Sequence, residues 1–331
     1  MRVTIKDLAK YCGVSSGTVD RALNNRPGIK EKTKKLVLEA ARELNYRPDF
    51  TARSLVKGKT MTLGIVLFDL YNRSFAQLLN AVEYKARENG YFIYIALSDK
   101  DPENEKLCIE YLANHKVDGI ILFTVNQGKE FEDYLQGFSI PVITIFNYLS
   151  ENWDYVGIKE KEAMIDGVGH IVDKGYKKFI YICPPLTYQG KTNIYTQEER
   201  LKGFLDGLSI KGINEVPLII KHNGYLSELE EVTFEKNNKT AIVCSCDLYA
   251  LEVMNFLKNK DIKIPEEVGL MGFDNIDVLK YISPKLTTVE YPVEQIGFRA
   301  VERLVNKIED GGFFSEITPS IDYRIIVGES T

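Results

Sequence analysis

The sequence predicts an α plus α/β chain: a small three-helix head, a short linker, and two doubly wound parallel α/β lobes. Three observations predict it. Helical apolar spacing fills the first 45 residues. From Met61 onward buried-type apolar runs alternate with helical stretches, and after about residue 160 that alternation starts again. Charge divides at the same place. Residues 1–60 hold 14 Lys and Arg against 6 Asp and Glu, whereas the remainder holds 28 against 41. A basic head on an acidic body suits a polyanion touched by one end only, although a solvated basic helix would give the same count.

In the head, Ile5, Leu8, Ala9 and Cys12 make one apolar helix face, which Gly13 ends by taking positive φ. Ser15 is placed to cap a second helix whose inward face is Val19, Ala22 and Leu23. The run Asn24 to Gly28 stops it. Val37, Ala40, Ala41 and Leu44 repeat the spacing in a third helix. Helix, tight turn and helix form a helix-turn-helix, whose second helix can enter a major groove. Arg21 then faces outward and could read guanine O6 and N7, while Ser16 and Thr18 are short donors to phosphates or base edges. A plain helical bundle would carry the same pattern. The linker, 47–60, is too short for an isolated stable helix and is expected to fold only against a partner.

In the body, 61–331, "MTLGIVLF" is followed by a helix from Phe75 to Asn89, then "YFIYIAL", a helix, "VDGIILF" and "PVITIF". The second round runs "KFIYIC", "VPLII", "TAIVCS" and "VGLMGF", with helices between. Every run reads as a buried parallel strand. The expected lobes are 61–158 plus 291–320, and 159–290 plus 321–331. Ligands of such sheets bind beyond the carboxyl ends of the strands. Here those ends are 69–72, 124–127, 147–150, 184–188, 246–249 and 274–277.

Other classes fit poorly. The five cysteines and three histidines show no metal-ligand spacing, so no metal is expected, and the thiols read as reduced and buried in a cytoplasmic protein. No export signal and no membrane-length apolar run is present. That opposes an exported solute-binding protein, which would also lack a DNA head. No G-x-G-x-x-G follows the first strand, and there is no P-loop, nucleophile elbow or base–nucleophile pair. Neither a cofactor nor an enzyme is expected.

Laid end to end, "TIKDLAKYCGVSSGTVDRALNN", "KTKKLVLEAARELNYRPDFTARSL", "DGIIL", "QEERLKGF", "IPEEVGLMGFDN", "PKLTTVEYP" and "VGEST" resemble the lactose/galactose repressor family of bacterial transcription regulators. The resemblance runs through nearly the whole chain, in order. It implies periplasmic-binding-protein-like lobes, a homodimer on a pseudo-palindromic operator duplex, and a small effector, a sugar or sugar derivative, between the lobes. Head 1–46 would touch DNA through Thr4, Ser15, Ser16, Gly17, Thr18, Asp20, Arg21 and Asn24. The linker would add Ala52 and Leu55, the latter wedged into the minor groove.

Effector contacts are expected from Asp69, Tyr71, Asn72, Phe75, Asn147, Lys159, Tyr188, Arg200, Tyr225, Cys246, Asp247 and Asp274. Arg200 and Asp274 match the family's polar anchors. Carboxylates and an arginine suit the hydroxyls of a polyol, and aromatic faces, Trp153 among them, would cover its C–H surface. Four positions depart from the family: Asp20 stands where Ser is usual, Gly17 where a larger reader is common, Cys246 for an amide and Lys159 for an acid. Asp20 is expected to accept from a cytosine amine or to orient Arg21. Lys159 at the cleft would suit an anionic sugar; a neutral one is the first expectation. Dependence on a phosphocarrier co-repressor is the other reading the family offers.

Overall fold

In the computed structural model, described for residues 3–47, 58–151, 153–186, 194–235, 239–310 and 321–331, the chain divides into two compact units, Met1–Thr60 and Met61–Thr331. Ala52, Leu55 and Tyr188 lie outside the described residues.

The first unit contains α1 (Ile5–Cys12), α2 (Ser16–Leu23) and α3 (Glu31–Glu43). Thr4 caps α1, with Thr4 and Asp7 bonding reciprocally, and Gly13 ends it at φ 64°. Ser15 caps α2 by accepting from the Thr18 N–H at 3.2 Å. Leu8, Ala9, Val19, Ala22, Val37 and Ala40 close the shared core. The helical spacing of the sequence therefore sets both the number of helices and their inward faces.

The second unit holds two sheets. The first contains β1 (Thr62–Leu67), β2 (Phe92–Leu97), β3 (Gly119–Leu122), β4 (Val142–Ile145) and β5 (Tyr155–Val156), all parallel, in the order β2-β1-β3-β4-β5. Its helices are α4 (Arg73–Glu88), α5 (Pro102–Asn114) and α6 (Lys129–Gln136). The second contains β6 (Lys178–Ile182), β7 (Leu218–Ile220), β8 (Thr240–Cys244), β9 (Val268–Asp274), β10 (Thr287–Glu290) and β11 (Arg324–Ile326) in the order β11-β10-β9-β8-β6-β7. It carries α7 (Glu160–Asp173), α8 (Tyr195–Ile210), α9 (Tyr225–Glu230), α10 (Asp247–Asn259) and a 3-10 turn, Asp277–Tyr281.

Helices α7 and α8 approach so closely that a Cβ on Gly203 would sit 2.4 Å from the Lys161 carbonyl oxygen; only glycine fits there. The last helix, α11 (Val293–Asp310), follows a strand of the second sheet yet packs on α4, β3 and β4 of the first lobe. The chain thus crosses between lobes after β5, between β10 and α11, and between α11 and β11. An isolated parallel bridge joins Ile158 and Ile321 beside these crossings.

Three expectations need correction. Strand β2 was expected to be buried, but it is an edge, with Phe92 66%, Tyr94 47% and Ile95 50% exposed. An unbroken apolar run does not say which chain will cover it. β11 pairs antiparallel with β10, so the second sheet is not wholly parallel. Helix α6 and the short strands β5, β10 and β11 are additional, and two to four residues of strand leave little periodicity to read.

Candidate functional site

The body's polar centre forms where both sheets end. Arg200, one turn into α8, sends Nε to Glu160 Oε2 at 2.8 Å. Its Nη1 donates to the Ser245 carbonyl at 2.6 Å and to Asp274 Oδ1 at 3.3 Å. The guanidinium lies 3.7 Å from the ring centre of Phe273. Asp274, the last residue of β9, also accepts from the Tyr291 hydroxyl at 3.0 Å and from Asn72 Nδ2 at 3.4 Å. Asn72 belongs to the first lobe, where its Oδ1 caps α4 through the Ser74 N–H. One cluster therefore bridges both lobes. Asp274 has φ +117°, a conformation L residues rarely adopt, costing about 1–3 kcal/mol unless the surroundings fix it. Three side-chain partners, Arg200, Tyr291 and Asn72, hold it here.

Electrostatics follow burial. Desolvation raises the carboxyls of Glu160 and Asp274, while the Arg200 charge opposes that shift in both. Asp247 is pushed up by burial and then by the Asp274 charge. Its oxygens are already used: Oδ2 accepts from the Ile276 N–H and Oδ1 from the Thr288 hydroxyl. Asp247 is a structural tie between α10, β10 and the segment after β9, which corrects its expected role as an effector contact. Cys246, at the start of α10, is buried with its thiol pushed up to about 12 by desolvation.

Other expected contacts separate. Asn147 bridges the lobes, accepting from the Thr196 N–H at 3.2 Å and donating to the Thr124 carbonyl at 2.7 Å. Phe75 packs edge-on to Phe68 and Phe123. Asp69 accepts from the Tyr71 N–H, and the Tyr71 ring is 88% exposed. Tyr225 is turned into the second lobe's core against Tyr249, bonded to Glu252, so it covers no cleft. Trp153 packs on the first lobe's cluster around Val142 and Leu149. Lys159 is exposed at the start of α7. It lines a cavity of about 630 Å³ with Glu160, Tyr148, Tyr155, Tyr195 and Arg303, and Glu160 also bonds to Arg200. Glu160, Ser245, Phe273 and Tyr291 were not singled out, although "GIKEKEAM" and "TVEYP" contain two of them.

In the head, Ser16, Gly17 and Arg21 are exposed on α2, with Thr18 half-buried and bonded to Ser15 through its hydroxyl. Asp20 does not orient Arg21. It accepts from Asn24 Nδ2 at 2.7 Å and pairs with Arg26 at 3.2 Å, because a carboxylate reaches residues four and six positions on more easily than its neighbour.

A basic helix-turn-helix unit and a two-lobed body whose polar centre joins both lobes define a class: a DNA-binding transcription regulator with a ligand cleft. Its similarity to known proteins specifies the family. Residues 4–49 match the lacI family of bacterial regulatory proteins, and 168–331 match the periplasmic binding protein-like domain. A transcriptional regulator of Clostridium acetobutylicum, RegA, is 32% identical, covering 100% of this chain and 99% of its own. The lac repressor dimer bound to operator and an anti-inducer superposes with TM-score 0.86 at 19% identity, covering 100% and 99%. A periplasmic binding protein/LacI regulator from Alkaliphilus metalliredigens, complexed with D-xylulofuranose, gives TM-score 0.67 at 27% identity over 82% and 99%. The chain belongs to the lacI family of bacterial regulatory proteins; it is a transcription regulator and not an enzyme.

Proposed function

We propose that this protein is a cytoplasmic repressor that binds a pseudo-palindromic operator as a homodimer and answers to a small polyhydroxylated effector between its lobes. The observation carrying this reading is the Arg200–Asp274 cluster, joined to Asn72 across the lobes. A ligand that bonds these groups together has different affinity for open and closed lobes, and that difference is all it can use to shift operator affinity. The sugar-bound Alkaliphilus relative supports the ligand class. Among the described residues no helix is long and apolar enough to cross a membrane.

Dimerisation is supported by the edges of the sheets. β2 ends the first sheet and β7 the second. Both present apolar surface: Phe92, Tyr94 and Ile95 on one, Val216 and Leu218 at the other. Exposed apolar edge strands invite a second chain. The lac repressor relative is itself a dimer.

Operator binding measured by anisotropy, with and without a sugar panel, tests the reading. Affinity should fall steeply with salt because the basic head neutralises phosphates, and a chain beginning at Met61 should not bind. At least one sugar should change operator affinity in the full chain. Retained binding by the shortened chain would refute the assignment.

A further inference from the structure

The charge around Arg200 is unbalanced in a way that restricts the ligand. One guanidinium faces two carboxylates, Glu160 and Asp274, with side chains 4%, 1% and 3% exposed. Asp247, also fully buried, adds a third carboxyl beside Asp274. Other cations do not offset them: Arg73 pairs with Asp277, Lys100 with Asp69, and Lys159, though it lines one cavity with Glu160, makes no ion pair with either carboxylate. Among the described residues no second Lys or Arg bonds to Glu160 or Asp274.

On two residues that this guanidinium bonds, a buried polar atom lacks a hydrogen-bond partner: Glu160 Oε1 and the Ser245 hydroxyl. Arg200 Nη2 donates to no acceptor among the described residues, since its bonds run through Nε and Nη1. A donor, an acceptor and a hydroxyl free to be either thus belong to Arg200 and two residues it bonds. A ligand hydroxyl satisfies all three kinds of group, because it donates and accepts at once. A carboxylate oxygen or an unprotonated phosphate oxygen only accepts. It has nothing to give Glu160, and it can reach Arg200 fully only by displacing Glu160. That would strand a buried carboxylate without its cation.

We propose that Glu160 sets the charge selectivity of the cleft: by occupying Arg200 it refuses carboxylate- and phosphate-bearing ligands and admits uncharged polyhydroxylated ones. The inference rests on the effector reading above and narrows it.

The test uses the full chain without DNA. Calorimetry with inorganic phosphate probes Arg200 directly, and a thermal-shift panel compares matched sugars: ribose with ribose 5-phosphate, and glucose with glucuronate. Wild type should show no phosphate heat, and any binder in the panel should be the uncharged member of its pair. Glu160→Gln should release Arg200, so that phosphate binds and the anionic member gains about tenfold on its partner, the scale of one charge-assisted hydrogen bond. Glu160→Asp, which keeps the charge, should still refuse anions. Phosphate or an anionic sugar binding tightly to wild type overturns the proposal, as does unchanged discrimination in folded Glu160→Gln. Should Glu160→Gln fail to fold, the wild-type arms and Glu160→Asp still decide. If no sugar of either charge binds wild type, the effector reading fails, while the phosphate arm still reports whether Glu160 guards Arg200.

Discussion

Glu105 shows how far a single side chain can tie stability to pH. It is fully buried on α5 and bonded by three neutral donors: the Thr124 hydroxyl at 2.9 Å, the Val125 N–H at 2.5 Å and Asn126 Nδ2 at 3.2 Å. Desolvation outweighs these bonds and raises its pKa from 4.5 to about 7. A carboxyl raised on folding contributes stability that is complete below pH 4.5 and lost as pH climbs through 7. The contribution at stake is about 3 kcal/mol. Denaturation from pH 4.5 to 8 should show wild type losing stability relative to Glu105→Gln; parallel curves would contradict the assignment. Arg200→Ala should be harsher. It leaves Glu160 and Asp274 buried without a cation, at about 3–5 kcal/mol, part of which Glu160→Gln should restore in the double variant by the same denaturation measurement. At this scale the sequence was legible where two side chains it brings forward meet, as Arg200 and Asp274 do at 3.3 Å. It was misleading at Asp247, whose oxygens are taken by Ile276 and Thr288, and at Tyr225, which packs in the core. Whether such a residue faces cleft or core depends on a half-turn of helix, and residue type alone does not report that.

Elements were more legible than residues. Ser15 could be assigned as the cap of α2 because a hydroxyl before an apolar-spaced run has one common use, and its bond to the Thr18 N–H fulfils it. Ser15→Ala should cost about 1 kcal/mol of head stability, measured by thermal unfolding followed by circular dichroism. Contacts between elements left no trace in sequence. Arg73, the first residue of α4, reaches across 204 positions to grip Asp277 in the 3-10 turn with two bonds, at 2.9 and 3.1 Å. This clasp links the lobes at an exposed rim, so salt should weaken it. Arg73→Ala should speed amide exchange in residues 277–281, with the difference shrinking in high salt. Equal exchange in both proteins would mean that the pair holds nothing closed.

For the whole molecule, the two-lobe plan was legible because the alternation of strand and helix begins twice. The assembly was not, because β2 reads as core while lying open at a sheet edge. Replacing Tyr94 with Glu and Ile95 with Lys should leave the fold intact and yield a monomer by light scattering, with weakened operator affinity since one head alone spans half a site. A dimer that survives both changes would place the interface elsewhere.

The late return of α11 to the first lobe matters during synthesis. β3 and β4 are complete by Ile145, but the helix that covers them begins only at Val293. At about 5–20 residues per second, the intervening roughly 150 residues take on the order of 10 s to emerge from the ribosome. For that interval the nascent first lobe carries a bare apolar face, and the second lobe is translated beside it. Chains arrested near residue 260 should therefore be cut by protease within the first lobe and bind chaperone there, whereas chains extended past residue 310 and clear of the exit tunnel should resist. Translation speed through the second lobe, rather than the first, then governs how long the first remains at risk.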